Sequence, residues 1–237
     1  MSATDPRVEL IRVARRMVAE GLVRGTSGNL SVRDLGASTD GYWITPTGMP
    51  YDALRPDDLP FLSLVDSPGA PDGRYEPHRQ PDHDEVEQGI HAPSSEWRFH
   101  RDVYRARSDV GAVLHAHPPF AVALACLRRG IPAFHYTVAR FGGDSVRCAR
   151  YATYGTQELS DAALVALQDR SGCLLANHGL LVCGRDLDHA LALGVELEQL
   201  CEQYWRACQL GEPVLLRADE MVRVLERFAG YGQPPST

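Results

Sequence analysis

The sequence predicts an α/β fold in one domain, and two observations carry that reading. Short apolar or alternating runs that read as strands alternate along the chain with amphipathic runs that read as helices. The chain has 237 residues, 44% of them hydrophobic and 23% charged. That is ordinary globular composition, in a length that can bury a sizeable core.

The elements follow in order. Asp5-Pro6 reads as an N-cap with proline at the first helical position, and Val8, Ile11, Ala14, Val18 and Leu22 form a helical stripe closed by Gly21. After the turn-rich Gly25 to Asn29, Leu30-Ser31-Val32 alternates like a strand. Gly41 to Thr45 reads as its hairpin partner, and Pro46-Thr47-Gly48 as a turn. Residues 67–93 are rich in Pro, Gly, Asp, Glu and His without periodicity, which predicts a flexible surface insertion. Ser94-Ser95-Glu96 opens a predicted helix through Arg107. Val110 to His115 reads as a strand, Pro118 to Arg129 as a helix closed by Gly130, and Ile131 to Val138 as a strand. Gly155 to Glu158 opens a helix to about Arg170. Cys173 to Ala176 and Leu180 to Cys183 read as buried strands around Asn177-His178-Gly179. Asp186 or Asp188 caps a long helix to about Leu210, and Asp219 to Phe228 forms the last.

Charge and apolar content narrow the partners. The formal net charge is −7, which argues against nucleic acid, because phosphate-backbone binding needs a basic face. No run approaches the roughly 20 apolar residues of a membrane span. Met1 to Asp5 is polar and leads straight into a charged amphipathic segment, so no signal peptide is expected. The six cysteines form no Cys-x-x-Cys pair and read as reduced, mostly buried thiols of a cytoplasmic protein.

Three of the nine histidines sit where their side chains can converge. His115-Ala116-His117 ends an apolar strand, in which residues two apart point to one side. His178 lies in a turn between two apolar runs. Three neutral imidazoles around an open position suit a catalytic Zn²⁺ or another divalent transition metal, Co²⁺ and Mn²⁺ included. Glu96 at a helix start reads as a metal ligand, a base, or a first-turn glutamate favoured by the helix dipole. The turns Gly28-Asn29, Thr47-Gly48 and Ser94-Ser95 offer hydroxyls and backbone N–H groups for a phosphate, though such dipeptides also simply make turns.

Five motifs give the chain a resemblance to the class II aldolase/adducin family. They are Thr26-Ser27-Gly28-Asn29-Leu30-Ser31, Ile44-Thr45-Pro46-Thr47-Gly48, Pro93-Ser94-Ser95-Glu96-Trp97, His115-Ala116-His117 and Asn177-His178-Gly179. The resemblance covers nearly the whole chain, 1–237, and implies a central, mostly antiparallel sheet flanked by helices. It implies a zinc site of His115, His117, His178 and Glu96, with Glu96 also the catalytic base. Gly28, Asn29, Thr47, Gly48, Ser94 and Ser95 would cradle a substrate phosphate. Tyr136 would be catalytic in a neighbouring subunit's site, and Tyr154 and Tyr231 would line the site. The implied enzyme is a homotetrameric aldolase that cleaves a ketose 1-phosphate, such as L-fuculose 1-phosphate or a related deoxyketose phosphate, to dihydroxyacetone phosphate and an aldehyde. Sugar-phosphate 4-epimerases, dehydratases, decarboxylases and non-catalytic adducin-like modules are the family's alternatives. Epimerases are expected to carry Asp where this chain has Glu96. The chain contains no lysine, which excludes a lysine Schiff-base mechanism. Arg140 and Phe141 stand where the resemblance leads one to expect small residues, which would alter the aldehyde accepted. His78, His83 and His91 read as solvated loop histidines.

Overall fold

A computed structural model describes residues 5–34, 36, 39–65, 86–88 and 90–229. Helix α1, Pro6–Ala19, starts as expected: the Asp5 carboxylate accepts from the Arg7 N–H at 2.9 Å. Strand β1, Asn29–Asp34, pairs antiparallel with β2, Gly41–Ile44. Strands β3, Phe61–Ser63, and β4, Val86–Gln88, extend that edge. Helix α2, Trp97–Ala106, leads into β5, Ala112–Ala116, and helix α3, Pro119–Cys126. A 3₁₀ turn, Tyr136–Phe141, and β6, Arg147–Ala149, precede helix α4, Gln157–Leu167. Strands β7, Gly172–Leu175, and β8, Gly179–Gly184, form a hairpin, followed by helices α5, Leu187–Leu210, and α6, Ala218–Ala229.

The eight strands make one sheet in the order β4-β3-β2-β1-β5-β8-β7-β6. All pairs are antiparallel except β6 with β7. The period-two alternation of the strands sends side chains to two cores. Leu30, Ala112, Leu114, Leu180 and Val182 pack with α1, α3 and α5. Ile44, Val113, Leu175, Leu181 and Cys183 pack with α2 and α4. Among the described residues no helix is long and apolar enough to cross a membrane.

Several local readings need correction. In α1 the buried stripe is Leu10, Ile11, Val13, Ala14 and Met17, while Val8 and Val18 are exposed. The helix after Pro118 stops at Cys126 and Arg128 takes a positive φ of 53°, so Gly130 does not close it. Ile131 to Val138 is not a strand. Only Ile131 bridges to Val146, and the His135 ring then caps the 3₁₀ turn by accepting from the Thr137 N–H at 3.3 Å. The helix after Thr156 ends at Leu167, three residues early. Of residues 67–93 the structure describes 86–88 and 90–93, where Val86–Gln88 pairs with β3 and Pro93 bridges to Pro46. Phe141 is fully buried in the core against Gly172 and takes no part in the cavity described below, while Arg140 is paired with Glu196. Among the six free cysteines only Cys173, Cys183 and Cys201 are buried.

Candidate active site

The site forms where the end of β5, the β7–β8 turn and the start of α2 meet on the α2/α4 face. His115 and His117 project from the end of β5. Asn177, with φ of 55°, turns the chain so that His178 faces them. Their three ring centroids lie 4.6, 4.7 and 4.8 Å apart. Close backbone approach sets this spacing. A Cβ on Gly28 would lie 2.8 Å from the His115 carbonyl oxygen, and one on Gly179 would lie 2.7 Å from the His117 ring.

Glu96 is the N-cap residue of α2, yet its side chain makes no cap hydrogen bond. The carboxylate turns to the histidines instead, with Oε2 at 3.1 Å from His115 Nε2 and Oε1 at 3.2 Å from His178 Nε2. One ligand atom from each of Glu96, His115, His117 and His178 lies within 4.8 Å of the others. For comparison, ligand atoms about 2.1 Å from a tetrahedral ion sit about 3.4 Å apart.

The donor chemistry fits a cation. His115 Nδ1 faces the Leu180 carbonyl oxygen at 2.8 Å, so Nδ1 carries the hydrogen. In the neutral ring Nε2 is then a lone pair, crowded by His117 Nε2 at 2.7 Å and by the acceptor-only Glu96 Oε2. A proton on His115 or a shared cation relieves that opposition. A proton serves only one pair, whereas Glu96 Oε1 is buried without a hydrogen-bond partner although His178 is near it. A divalent metal satisfies all four groups together. With a metal bound, the Leu180 carbonyl would be the outer hydrogen bond that fixes the His115 tautomer.

The electrostatics agree. Burial, reinforced by the charge of His115, lowers His117 to about 4 and His178 to about 3, so both rings are neutral at pH 7. Burial alone would raise the Glu96 carboxyl. Contact with the His115 and His178 rings and the hydrogen bond from the Asn29 amide outweigh it and hold the group well below the usual carboxylate range.

Above these groups opens a cavity of about 360 Å³. Its lining brings together Gly28, Asn29, Thr47, Gly48, Ser94 and Ser95 with Glu96, His117, His178 and Tyr154. His115 lies beneath, fully buried. The N–H groups of Thr47 and Ser94 are spent on the carbonyls of Ala92 and Thr45, each at 3.1 Å. Among the described residues the N–H groups of Gly28, Gly48 and Ser95 carry no hydrogen bond and remain for an anion. Thr26, Ser27, Tyr151 and Asn177 also line the cavity. The sequence reading did not select them, although Thr26, Ser27 and Asn177 lie within quoted motifs. Tyr136 stands elsewhere, half exposed, its ring stacked on Phe228 at 6.2 Å between centroids. Tyr231, His78 and His83 lie outside the described residues. His91 sits 3.3 Å from Asp58, away from the cluster.

A family model described as the class II aldolase and adducin N-terminal domain matches residues 8–205. The chain belongs to the class II aldolase and adducin family. Its relatives in that family include the 5-methylthioribulose-1-phosphate/5-deoxyribulose-1-phosphate aldolase of Rhodospirillum rubrum, 50% identical over 94% of this chain and 90% of that protein. The L-fuculose phosphate aldolase of Escherichia coli is 39% identical over 94% of both chains. A solved L-fuculose 1-phosphate aldolase superposes with a TM-score of 0.83 at 36% identity, covering 97% of this chain and 98% of that one. The aldolase/adducin chain is therefore a lyase of the class II aldolase type, and its mostly antiparallel sheet flanked by helices is the fold of these relatives.

Proposed function

We propose that this class II aldolase uses Zn²⁺ to cleave a ketose 1-phosphate to dihydroxyacetone phosphate and an aldehyde. One observation carries the reading: the four converging ligand atoms and the turns with free N–H groups open into the same cavity. That cavity binds a phosphate at the Gly28, Thr47–Gly48 and Ser94–Ser95 end and presents the sugar's oxygens to the histidines. The relative from R. rubrum at 50% identity supports a 5-deoxy- or 5-methylthiopentulose 1-phosphate as the ketose. The relative from E. coli supports L-fuculose 1-phosphate as the neighbouring choice.

Glu96, His115, His117 and His178 would hold the metal. A divalent ion there supplies Lewis-acid stabilisation of the negative charge that develops on the ketose oxygens. The remaining steps fall to side chains. The bond between carbons 3 and 4 breaks, its electron pair enters the enediolate, and the aldehyde leaves. Glu96, ionised before the bond breaks, receives the carbon 4 hydroxyl proton and delivers it to carbon 3. Tyr136, remote from its own cavity and half exposed, acts at the aldehyde end of a neighbouring copy's site in a cyclic homotetramer, assisting loss of the carbon 4 hydroxyl proton. Tyr154 lines the cavity, and a site role for Tyr231, outside the described residues, rests on the family resemblance alone. The enzyme works in the cytoplasm, where its free thiols stay reduced.

The test is release of dihydroxyacetone phosphate from purified, zinc-loaded protein. L-fuculose, L-rhamnulose, L-ribulose, 5-deoxyribulose and 5-methylthioribulose 1-phosphates are offered in parallel, each with a chelated control. The expected result is chelator-sensitive release, fastest from the deoxy- and methylthiopentulose phosphates. Zinc-loaded protein that releases it from none of the five would refute the aldolase reading.

A further inference from the structure

A buried chain of five polar side chains runs from Glu96 into the protein. Asn29 Nδ2 donates to Glu96 Oε2 at 3.0 Å, and Asn29 Oδ1 faces His100 Nε2 at 2.6 Å. His100 Nδ1 faces Ser31 Oγ at 2.7 Å, and Ser31 Oγ faces the Tyr104 hydroxyl at 2.7 Å. His100, Ser31 and Tyr104 are each no more than 1% exposed. Two periodicities build the chain. Glu96, His100 and Tyr104 recur every four residues along α2, about 6 Å apart. Asn29 and Ser31 recur every two along β1, about 6.6 Å apart. Helix and strand steps therefore interleave.

Donor and acceptor chemistry gives the chain one direction. An ionised Glu96 only accepts, so Asn29 must present its NH₂. Asn29 Oδ1 then requires a hydrogen on His100 Nε2. In the neutral ring Nδ1 is a lone pair, filled by the Ser31 hydroxyl hydrogen, and Ser31 accepts from Tyr104. Asn29 had been expected to serve a phosphate. The structure commits both ends of its amide, leaving one Nδ2 hydrogen for the cavity that it lines.

We propose that His100 is a positioning residue: through its Nε2–H it locks the Asn29 amide so that Nδ2 holds Glu96 Oε2 and leaves Oε1 for the reacting centre. The role of Glu96 in this rests on the aldolase reading. The orientation of the amide does not.

Two substitutions separate positioning from packing. Gln reproduces a donor at the Nε2 position, whereas Asn reproduces only the Nδ1 side. Wild type, His100→Asn and His100→Gln are loaded with zinc for kcat and KM and with cobalt for visible spectra, and metal content is measured in each. His100→Asn is expected to lower kcat about 10- to 100-fold, with wild-type metal stoichiometry and a changed cobalt spectrum. His100→Gln is expected to restore kcat to within about threefold and to restore the spectrum. Equal losses in the two variants, or wild-type behaviour of His100→Asn, would overturn the proposal. Should His100→Asn fail to fold, Ser31→Ala keeps the ring and removes the hydroxyl that sets its tautomer. That variant should move kcat and the spectrum in the same direction, and wild-type values for both would overturn the proposal. If wild-type protein released no dihydroxyacetone phosphate, the aldolase reading would fail, while the cobalt spectra would still decide the role of His100.

Discussion

Gly179→Ala tests whether backbone contact sets the metal-site geometry. The added methyl would sit 2.4 Å from the Ala116 carbonyl oxygen and 2.7 Å from His117 Cδ2. Neither contact is tolerable, so the ends of β5 and β8 must part and the His117 imidazole must move with them. Overpacking of this kind costs about 1–3 kcal/mol. If that strain falls on the His117 position, zinc affinity drops about 5- to 150-fold. Gly172→Ala is the control. Its methyl would lie 2.8 Å from Phe141 and 3.1 Å from Val182, in the core and away from the ligands. Chelator competition gives the zinc Kd and thermal unfolding of metal-free protein gives Tm. Both variants should lose Tm, but only Gly179→Ala should lose zinc affinity. An unchanged Kd in Gly179→Ala, or equal losses of affinity in the two, would refute the geometric argument.

Two further outcomes follow from the same site. Glu96→Gln should lower kcat for dihydroxyacetone phosphate release by about 10²- to 10⁴-fold, the usual contribution of a positioned proton-transfer group, and steady-state kinetics showing less than a tenfold loss would remove Glu96 from that role. Acid should destabilise the metal-free protein: burial depresses His100, His117 and His178 from 6.5 to about 3, about 4 and about 3. The unfolded chain then binds more protons than the folded one, so this stabilisation is present above about pH 6.5 and is lost as pH falls through the folded values. Calorimetry should show Tm falling from pH 7 to pH 5, and a Tm that stayed flat or rose would contradict the neutral, buried histidines.

What the sequence alone determined was local. Asp5 and Thr156 cap α1 and α4 because a short polar side chain reaches an N–H two or three residues ahead, and of the two candidates for α5 the structure takes Asp186. The pairing of β1 with β2 was readable because a short connection joins them, and β7 and β8 were readable as buried strands from their apolar runs. The residue types of the site were readable for the same reason: His-x-His in a strand and Asn-His-Gly in a turn are short-range patterns. The three-residue strands β3 and β6 were not readable, because so few residues carry no period and their pairing partners lie elsewhere in the chain. Ile131 to Val138 looked like a strand, but beyond the Ile131–Val146 bridge the His135 cap drew the chain into a 3₁₀ turn.

Only the tertiary structure decided where the Glu96 side chain turns. At a helix start it reads equally as a dipole-favoured residue or as a ligand, and the choice lies with groups far away in sequence. Here β5 and the β7–β8 turn bring His115 and His178 within 3.1 and 3.2 Å of its oxygens. Asn29 reads in sequence as a phosphate contact, and helix and strand packing additionally place His100 behind it. Caps and turns are settled by the nearest few residues. A ligand set or a buried polar chain needs every member's desolvation balanced by its partners, and only the packed sheet and helices supply those partners together.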